Sequence, residues 1–341
     1  MYKDAILRFR DQWFLSTPPP FQIQTSGSTG KPKTIEISKE QMEASASMTG
    51  QALGLTNSDN ALVCLNTQYI AGKMMLARAF TIGMTAYILP PVANPFKNIT
   101  KSLSISFTAM VPYQMKTTLE ESPDKIGVLN QMKAILLGGA PVGHQLEESL
   151  QNIEAPVYST YGMTETVSHI ALRRLNSRNA SPVYTVLPGI SIGLDERSCL
   201  TIKGPVTRDE TIITNDIVKL IPPGQFIWTG RIDNIINSGG VKIQIEELES
   251  SISGIFNTLG YTNRFMVTGI PDNCFGTSVV LLIEGIFAED QKSRLYHELI
   301  QTVSKYEVPK KIFLIPEFSE TATGKIDRIA TTGLIFTQTP A

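Results

Sequence analysis

The nine residues Thr25-Ser26-Gly27-Ser28-Thr29-Gly30-Lys31-Pro32-Lys33 combine hydroxyls, glycines and two lysines in a run suited to holding a polyphosphate. Gly27 and Gly30 lack a Cβ, so the backbone there tolerates positive φ and brings N–H groups close to an anion; the hydroxyls add donors and the lysines supply countercharge. The spacing departs from a Walker loop, in which four residues separate the first glycine from the Gly-Lys pair and Ser or Thr follows the lysine. Here two residues separate Gly27 from Gly30, and Pro32 follows Lys31. Pro32 disfavours helix just before it, and Lys33-Thr34-Ile35-Glu36-Ile37 alternates as a strand does. The loop is therefore expected to join two strands, whereas a Walker or Rossmann loop opens a helix. By composition alone the same stretch also fits a Ser/Thr/Gly hairpin tip.

Other segments have compositions that suit a nucleotide site. Leu137-Gly138-Gly139-Ala140-Pro141 ends an apolar run with a glycine pair, where backbone can lie against a flat ring. Tyr158-Ser159-Thr160-Tyr161-Gly162-Met163-Thr164-Glu165-Thr166 ends another run with an aromatic, a hydroxyl and a carboxylate, and strand ends in α/β sheets are where ligands bind. Further along lie Thr214-Asn215-Asp216, then Thr229-Gly230-Arg231-Ile232-Asp233-Asn234, and finally Thr321-Ala322-Thr323-Gly324-Lys325-Ile326-Asp327-Arg328.

The elements that must position these residues follow from periodicity. A chain of 341 residues exceeds the size at which one core stops growing, so two domains are expected. Ser38-Lys39-Glu40-Gln41 fits a capping box ahead of a helical pattern from Met42 to Leu53 that stops at Gly54. Apolar runs at Ala61–Leu65, Thr85–Leu89, Ile105–Met110, Lys133–Leu137 and Val157–Ser159 alternate with helical stretches at Gly72–Phe80, Tyr113–Glu121 and Gly143–Gln151. This predicts an α/β fold with a large layered N-terminal domain over 1–230. From Ile190 to Thr229 short strands and turns predict a β-rich subdomain. Beyond it, strands at Asn234–Asn237, Val241–Gln244, Phe265–Ile270, Ser278–Glu284 and Ile312–Ile315, with helices Glu246–Ser253 and Glu289–Tyr306, predict a small α+β domain over 231–341.

Composition narrows the function classes. Hydrophobic residues make up 42% and charged residues 18%, and the net charge of −1 offers no basic surplus for a nucleic-acid backbone. No apolar run reaches the roughly 18 residues of a membrane span and the N-terminus has no secretory pattern, so a soluble, cytoplasmic protein is expected. Cys64, Cys199 and Cys274 sit in apolar surroundings and are expected to be buried thiols in a reducing compartment, with neither a disulfide nor a zinc site. His144, His169 and His297 show no ligand spacing and are expected to be structural or surface residues.

Taken in order, the segments from about Thr25 to Arg328 closely resemble the adenylate-forming superfamily of acyl-CoA synthetases, adenylation domains and luciferases. Within it, Tyr69-Ile70-Ala71-Gly72-Lys73-Met74-Met75 and Thr164-Glu165-Thr166-Val167-Ser168-His169-Ile170-Ala171-Leu172-Arg173 look like the o-succinylbenzoate-CoA ligase branch, which serves menaquinone biosynthesis. The resemblance implies an AMP-forming ligase with ATP, Mg2+ and CoA, and a carboxylic acid as substrate. It implies that Thr25, Ser26, Gly27, Ser28, Thr29, Gly30 and Lys33 close over the β- and γ-phosphates, that Gly139, Ala140 and Tyr161 border the adenine, and that Thr164 touches the α-phosphate. Glu165 would hold magnesium, and Asp216 would bind the ribose hydroxyls with help from Arg231. Lys325 would bring a mobile ammonium to the α-phosphate and the attacking carboxylate. By the same resemblance Asp233 would sit at a hinge about which the small cap swings, bringing Gly239, Gly240 and Lys242 to a pantetheine channel. Tyr69, Gly72, Lys73, Ser168 and His169 are candidate liners of the acid pocket, with Lys73 a partner for a second carboxylate; ordinary packing or exposure fits each of these as well.

Two departures accompany the resemblance. Asn215 stands where the family usually has glycine before the ribose-binding Asp, and only about two dozen residues precede the phosphate loop, where most relatives carry a further N-terminal subdomain part. A ligase for another aryl or short acyl acid is the nearest alternative. A module loading a carrier protein, expected to work in trans, a nucleotide-binding protein without chemistry, and a kinase or ATPase are more distant ones.

Overall fold

The computed structural model describes residues 2–24, 34–100, 103–320 and 326–337. In chain order the elements are α1 (Tyr2–Trp13), β1 (Phe21–Gln24), β2 (Thr34–Ile37), α2 (Lys39–Leu53), β3 (Asn60–Val63), α3 (Ile70–Ile82), β4 (Thr85–Ile88), β5 (Phe107–Met110), α4 (Pro112–Glu121), α5 (Ile126–Leu129), β6 (Ala134–Leu137), α6 (His144–Leu150), β7 (Val157–Gly162) and β8 (His169–Arg174). There follow β9 (Val183–Val186), β10 (Ser191–Leu194), β11 (Cys199–Lys203), β12 (Ile212–Ile221), β13 (Gln225–Arg231), β14 (Ile235–Ser238), β15 (Val241–Gln244), α7 (Ile245–Leu259), β16 (Phe265–Asp272), β17 (Gly276–Glu284), α8 (Glu289–Thr302), β18 (Lys311–Ile315) and α9 (Arg328–Thr337). They form two compact units. The first holds residues 2–24, 34–214 and 219–228, and the second holds 215–218 and 229–337.

The first unit is organised by one sheet ordered β10-β11-β12-β13-β9-β8-β7-β6-β5-β3-β4. Its half from β4 to β7 is parallel, and strands covered on both faces read as unbroken apolar runs: all four residues of β6 are buried. The pairs β7–β8, β8–β9, β9–β13 and β10–β11 are antiparallel, so the β-rich texture begins at His169, ahead of Ile190, and continues the same sheet. β1 and β2 pair antiparallel as a separate ribbon, Gln24 opposite Thr34. Ser38 and Gln41 close a reciprocal capping box on α2, and Gly54 ends that helix at φ 63°. The N-terminal helix was not evident from the sequence; it is anchored by Phe9 and Trp13, whose rings pack on Phe21 and Phe80.

In the second unit β16, β17 and β18 form a sheet whose two faces follow the period of two. Val279, Leu281 and Ile283 face α7 and α8 through Ile252, Phe256, Leu295 and Leu299. Val280 and Leu282 join Met266, Ile315 and Ile335 of α9 on the other side. The cysteine expectation needs correcting here. Cys64 and Cys199 are buried, but Cys274 is exposed. It sits in the turn between β16 and β17, where the Asp272 carboxylate accepts the Cys274 and Phe275 N–H groups and turns the chain outward.

Candidate active site

In the first unit the parallel pairing of β6 with β7 sets Leu137 beside Ser159, which brings the glycine pair alongside Thr160 and Tyr161. Gly138 donates its N–H to Met110 O at 3.1 Å, and a methyl at 138 would collide with the Thr160 hydroxyl. Gly139 turns away at φ 84° and leaves Ala140 exposed. The Tyr161 ring is set edge-on to Phe226 at 5.1 Å and 77°, so its orientation is fixed by packing. The strand end is thus open backbone next to a held aromatic ring.

Immediately after β7 comes a tight turn, Thr164–Thr166. The buried Thr166 hydroxyl accepts the Met163 N–H at 3.0 Å and lies 2.9 Å from Ser168 O, while Ser168 N–H donates to Thr166 O at 2.7 Å. Val167 is held at φ 66°, a left-handed backbone that a β-branched residue adopts only under constraint. A methyl at Gly162 would run into the Ser168 carbonyl, so the chain passes itself here without room to spare. The result is a rigid knuckle presenting Thr164 and an exposed Glu165, which has no partner among the described residues. Magnesium binds through one or two carboxylates together with substrate phosphates and retained waters, so a single open carboxylate fits it.

The same knuckle leads into a buried polar cluster that joins the candidates Ser168 and His169 to Arg78 and Thr49, which sequence reasoning missed. Arg78 lies on α3 and is 2% exposed. Its Nη2 donates to Ser168 Oγ at 2.9 Å and meets His169 Nδ1 at 3.3 Å; its Nε faces Thr49 Oγ1 at 3.4 Å, and Nη1 meets Met75 Sδ at 3.9 Å. No carboxylate among the described residues pairs with it. Burial pushes the guanidinium down to about 10, so at neutral pH it stays a cation. His169, 6% exposed, is driven well below its usual range by burial and then by the charge of Arg78. One signal was available in the sequence: Arg78 is a charge set among Leu76, Ala77, Ala79 and Phe80 in the second half of α3. At the start of that helix Tyr69 is the exposed N-cap, Gly72 is packed so closely on the Asn66 carbonyl that a methyl would clash, and Lys73 is half-buried and pushed downward by burial. A surface cleft of about 290 Å³ lined by Ala52, Tyr158, Arg174 and Val183 also lies on this unit and contains none of these candidates.

The second unit gathers another set. Asp216 is buried and lies 3.7 Å from Arg231 Nη1. Arg231 reaches Asp233 with two nitrogens at 2.8 and 2.7 Å. That bond lowers the Asp233 carboxyl and raises the guanidinium. Asn215 donates to Asp233 Oδ2 at 3.3 Å, so the residue standing for the family's glycine ties the Asp216 strand to the candidate hinge. Gly239 and Gly240, at φ 58° and 82°, make the turn between β14 and β15; two positive φ values suit a two-residue hairpin with the twist of its strands. Lys242 is exposed on β15. Thr25, Ser26, Gly27, Ser28, Thr29, Gly30 and Lys33 of the phosphate loop, and Lys325, lie outside the described residues.

The chain belongs to the AMP-binding enzyme family, whose profile matches residues 19–199. It is 43% identical to the acyl-CoA synthetase (AMP-forming)/AMP-acid ligase II-like protein from Dyadobacter fermentans DSM 18053, covering 98% of this chain and 94% of that one, with a TM-score of 0.65. It is 26% identical over 90% of its length to 2-succinylbenzoate–CoA ligase of Lactococcus lactis subsp. lactis (strain IL1403). The chain spans about two thirds of the curated relatives it matches, 69% of that ligase and 65% of the one from Staphylococcus aureus (strain MSSA476). The fold matches O-succinylbenzoate coenzyme A synthetase from Bacillus subtilis in complex with ATP and magnesium ion, at a TM-score of 0.74 and 21% identity over 91% of this chain and 69% of that one. Among the described residues no helix is long and apolar enough to cross a membrane.

Proposed function

We propose that the chain is an AMP-forming ligase that activates a dicarboxylic aryl acid, o-succinylbenzoate or a close analogue, with ATP and passes the acyl group to CoA. The observation that carries this reading is Arg78, a buried cation whose neighbours are two hydroxyls, an imidazole and a thioether. A buried ion costs several kcal/mol when its countercharge is missing, and arginine does not escape by losing its proton. A site that keeps such a cation suits a substrate that brings its own anion, here the carboxylate that does not react. Lys73, half-buried on the same helix, adds positive potential.

The reacting carboxylate attacks the α-phosphorus of ATP; the bond from that phosphorus to the bridging oxygen breaks, and pyrophosphate leaves with the electron pair. In this reading Thr164 and Lys325 stabilise the charge that accumulates at phosphorus, Thr25 to Lys33 hold the departing phosphates, and Gly139, Ala140 and Tyr161 border the base. Asp216 accepts from the ribose hydroxyls, which an ionised carboxylate does with two oxygens, and Arg231 beside it holds its orientation. Glu165 would hold the magnesium, which when bound neutralises charge on the phosphates. The CoA sulfur then attacks the acyl carbon and AMP leaves. For this second step the small domain, taken as 231–341, swings about Asp233 and brings the Gly239-Gly240 turn and Lys242 to the thiol path.

The test is a panel of mono- and dicarboxylic acids with ATP, magnesium and CoA, scored for AMP, ADP, pyrophosphate and thioester. Dicarboxylate-dependent AMP with thioester is expected; acid-dependent ADP, or equal use of benzoate and o-succinylbenzoate, would contradict the reading.

A further inference from the structure

The hydrogen-bond donors around His169 settle which of its nitrogens carries the proton. Nδ1 lies 3.3 Å from Arg78 Nη2, and a guanidinium has only donors, so Nδ1 must accept. The proton therefore resides on Nε2, which points to Thr49 Oγ1 at 3.2 Å. Thr49 passes its own proton to Ser45 O at 2.9 Å, one turn back on α2, and its oxygen is left free to accept from His169 Nε2 and Arg78 Nε. The chain of donors ends on a helix carbonyl and runs in one direction only. Ser168 Oγ, the second acceptor for Arg78 Nη2, sits on the knuckle stiffened by Thr166 and the strained Val167.

We propose that His169, as the neutral Nε2–H tautomer, is a positioning residue that fixes the azimuth of the Arg78 guanidinium and so sets the preference for an acid bearing a second carboxylate. The inference rests on the reading of Arg78 as the anchor of that carboxylate. His169 touches no reacting atom. It supplies a lone pair where a carboxylate from the protein would have cancelled the charge on Arg78, so the cation is oriented without being neutralised. A protonated imidazole would lose the acceptor and set two cations 3.3 Å apart; this agrees with the strong downward displacement of its titration by burial and by Arg78. Among the described residues the charged or titratable group facing the ring is Arg78 from α3; Thr49 from α2 and Ser168 from the knuckle face it with hydroxyls.

The chain has three histidines, so the tautomer can be read directly from long-range 1H–15N spectra of the native protein. One imidazole is expected to remain a neutral Nε2–H form from pH 8 down to pH 5 and to vanish in His169→Leu. An Nδ1–H form, or a His169 titrating near 6.5, overturns the proposal. In kinetics, His169→Leu should raise KM for the dicarboxylic acid about tenfold to a hundredfold while leaving kcat and the KM for ATP within about threefold. His169→Asn, which places an amide oxygen near the Nδ1 position, should restore most of the loss. An unchanged KM in His169→Leu, or an equal rise for a monocarboxylate, overturns the positioning role while leaving the acid reading intact. Absence of any dicarboxylate preference in the native protein removes the acid reading itself, and the positioning role with it.

Discussion

Arg78 and Arg231 are both guanidiniums at the heart of a candidate site, yet they sit in opposite electrostatic settings. Arg231, in the second unit, is partly exposed and clasped by Asp233 with Asp216 close by. Arg78, in the first unit, is buried among hydroxyls, a ring nitrogen and a sulfur. A cation that carries its counterion with it holds a local structure. A cation buried without one is kept at a cost and points to a ligand. The backbone repeats the contrast: the first unit fixes Thr164 and Glu165 on a strained knuckle, while the second presents glycine turns and an exposed Lys242.

The sharpest way to separate the two roles is Lys325→Ala. Adenylate formation should fall about 10²–10³-fold, the usual cost of losing a contact to charge that develops in the transition state. Thioester formation from supplied acyl-adenylate should stay within about threefold; equal loss of both half-reactions would refute the division of labour. Rigidity of the knuckle is probed by Gly162→Ala, which forces a methyl against the Ser168 carbonyl and should cost about 2–3 kcal/mol in denaturant unfolding. Gly254→Ala, in an exposed position of α7 with nothing within 4 Å, should instead stabilise by about 0.5–1 kcal/mol.

Acid titration tests the buried ring. His169 is neutral when folded and protonates near 6.5 when unfolded, so the unfolded state binds the extra proton and stability falls as pH drops below 6.5. Native protein should lose up to about 1.2 kcal/mol between pH 6 and 5 relative to His169→Asn; coincident slopes would show that the ring is not held neutral. The smallest effect is expected from Asn215→Gly. It removes an exposed 3.3 Å bond to Asp233 and should change the ratio of the two half-reaction rates by only about twofold to fivefold, with unfolding altered by less than about 1 kcal/mol. An unchanged ratio would deny Asn215 any hold on the candidate hinge.

The strands were legible because buried parallel strands leave unbroken apolar runs, and α2 because its capping box and Gly54 are local signals. Cys274 was misjudged because the turn that expels it depends on Asp272, a side-chain bond that periodicity does not register. Arg78 was missed for a different reason. Thr49, Arg78 and His169 are separated by 29 and 91 residues and meet only after α2, α3 and β8 have packed. Along the chain, Arg78 is one of two charges in a largely apolar helix; only the fold reveals that no carboxylate among the described residues came with it.

The central claim is that this missing countercharge belongs to the substrate. Calorimetry comparing o-succinylbenzoate with an analogue whose non-reacting carboxylate is converted to an amide, on native protein and on Arg78→Met, tests it most directly. The account predicts a preference of about a hundredfold in the native protein that collapses in a variant no less stable than the native one, since a buried unpaired charge has been removed. An unstable variant that still prefers the dicarboxylate would contradict it.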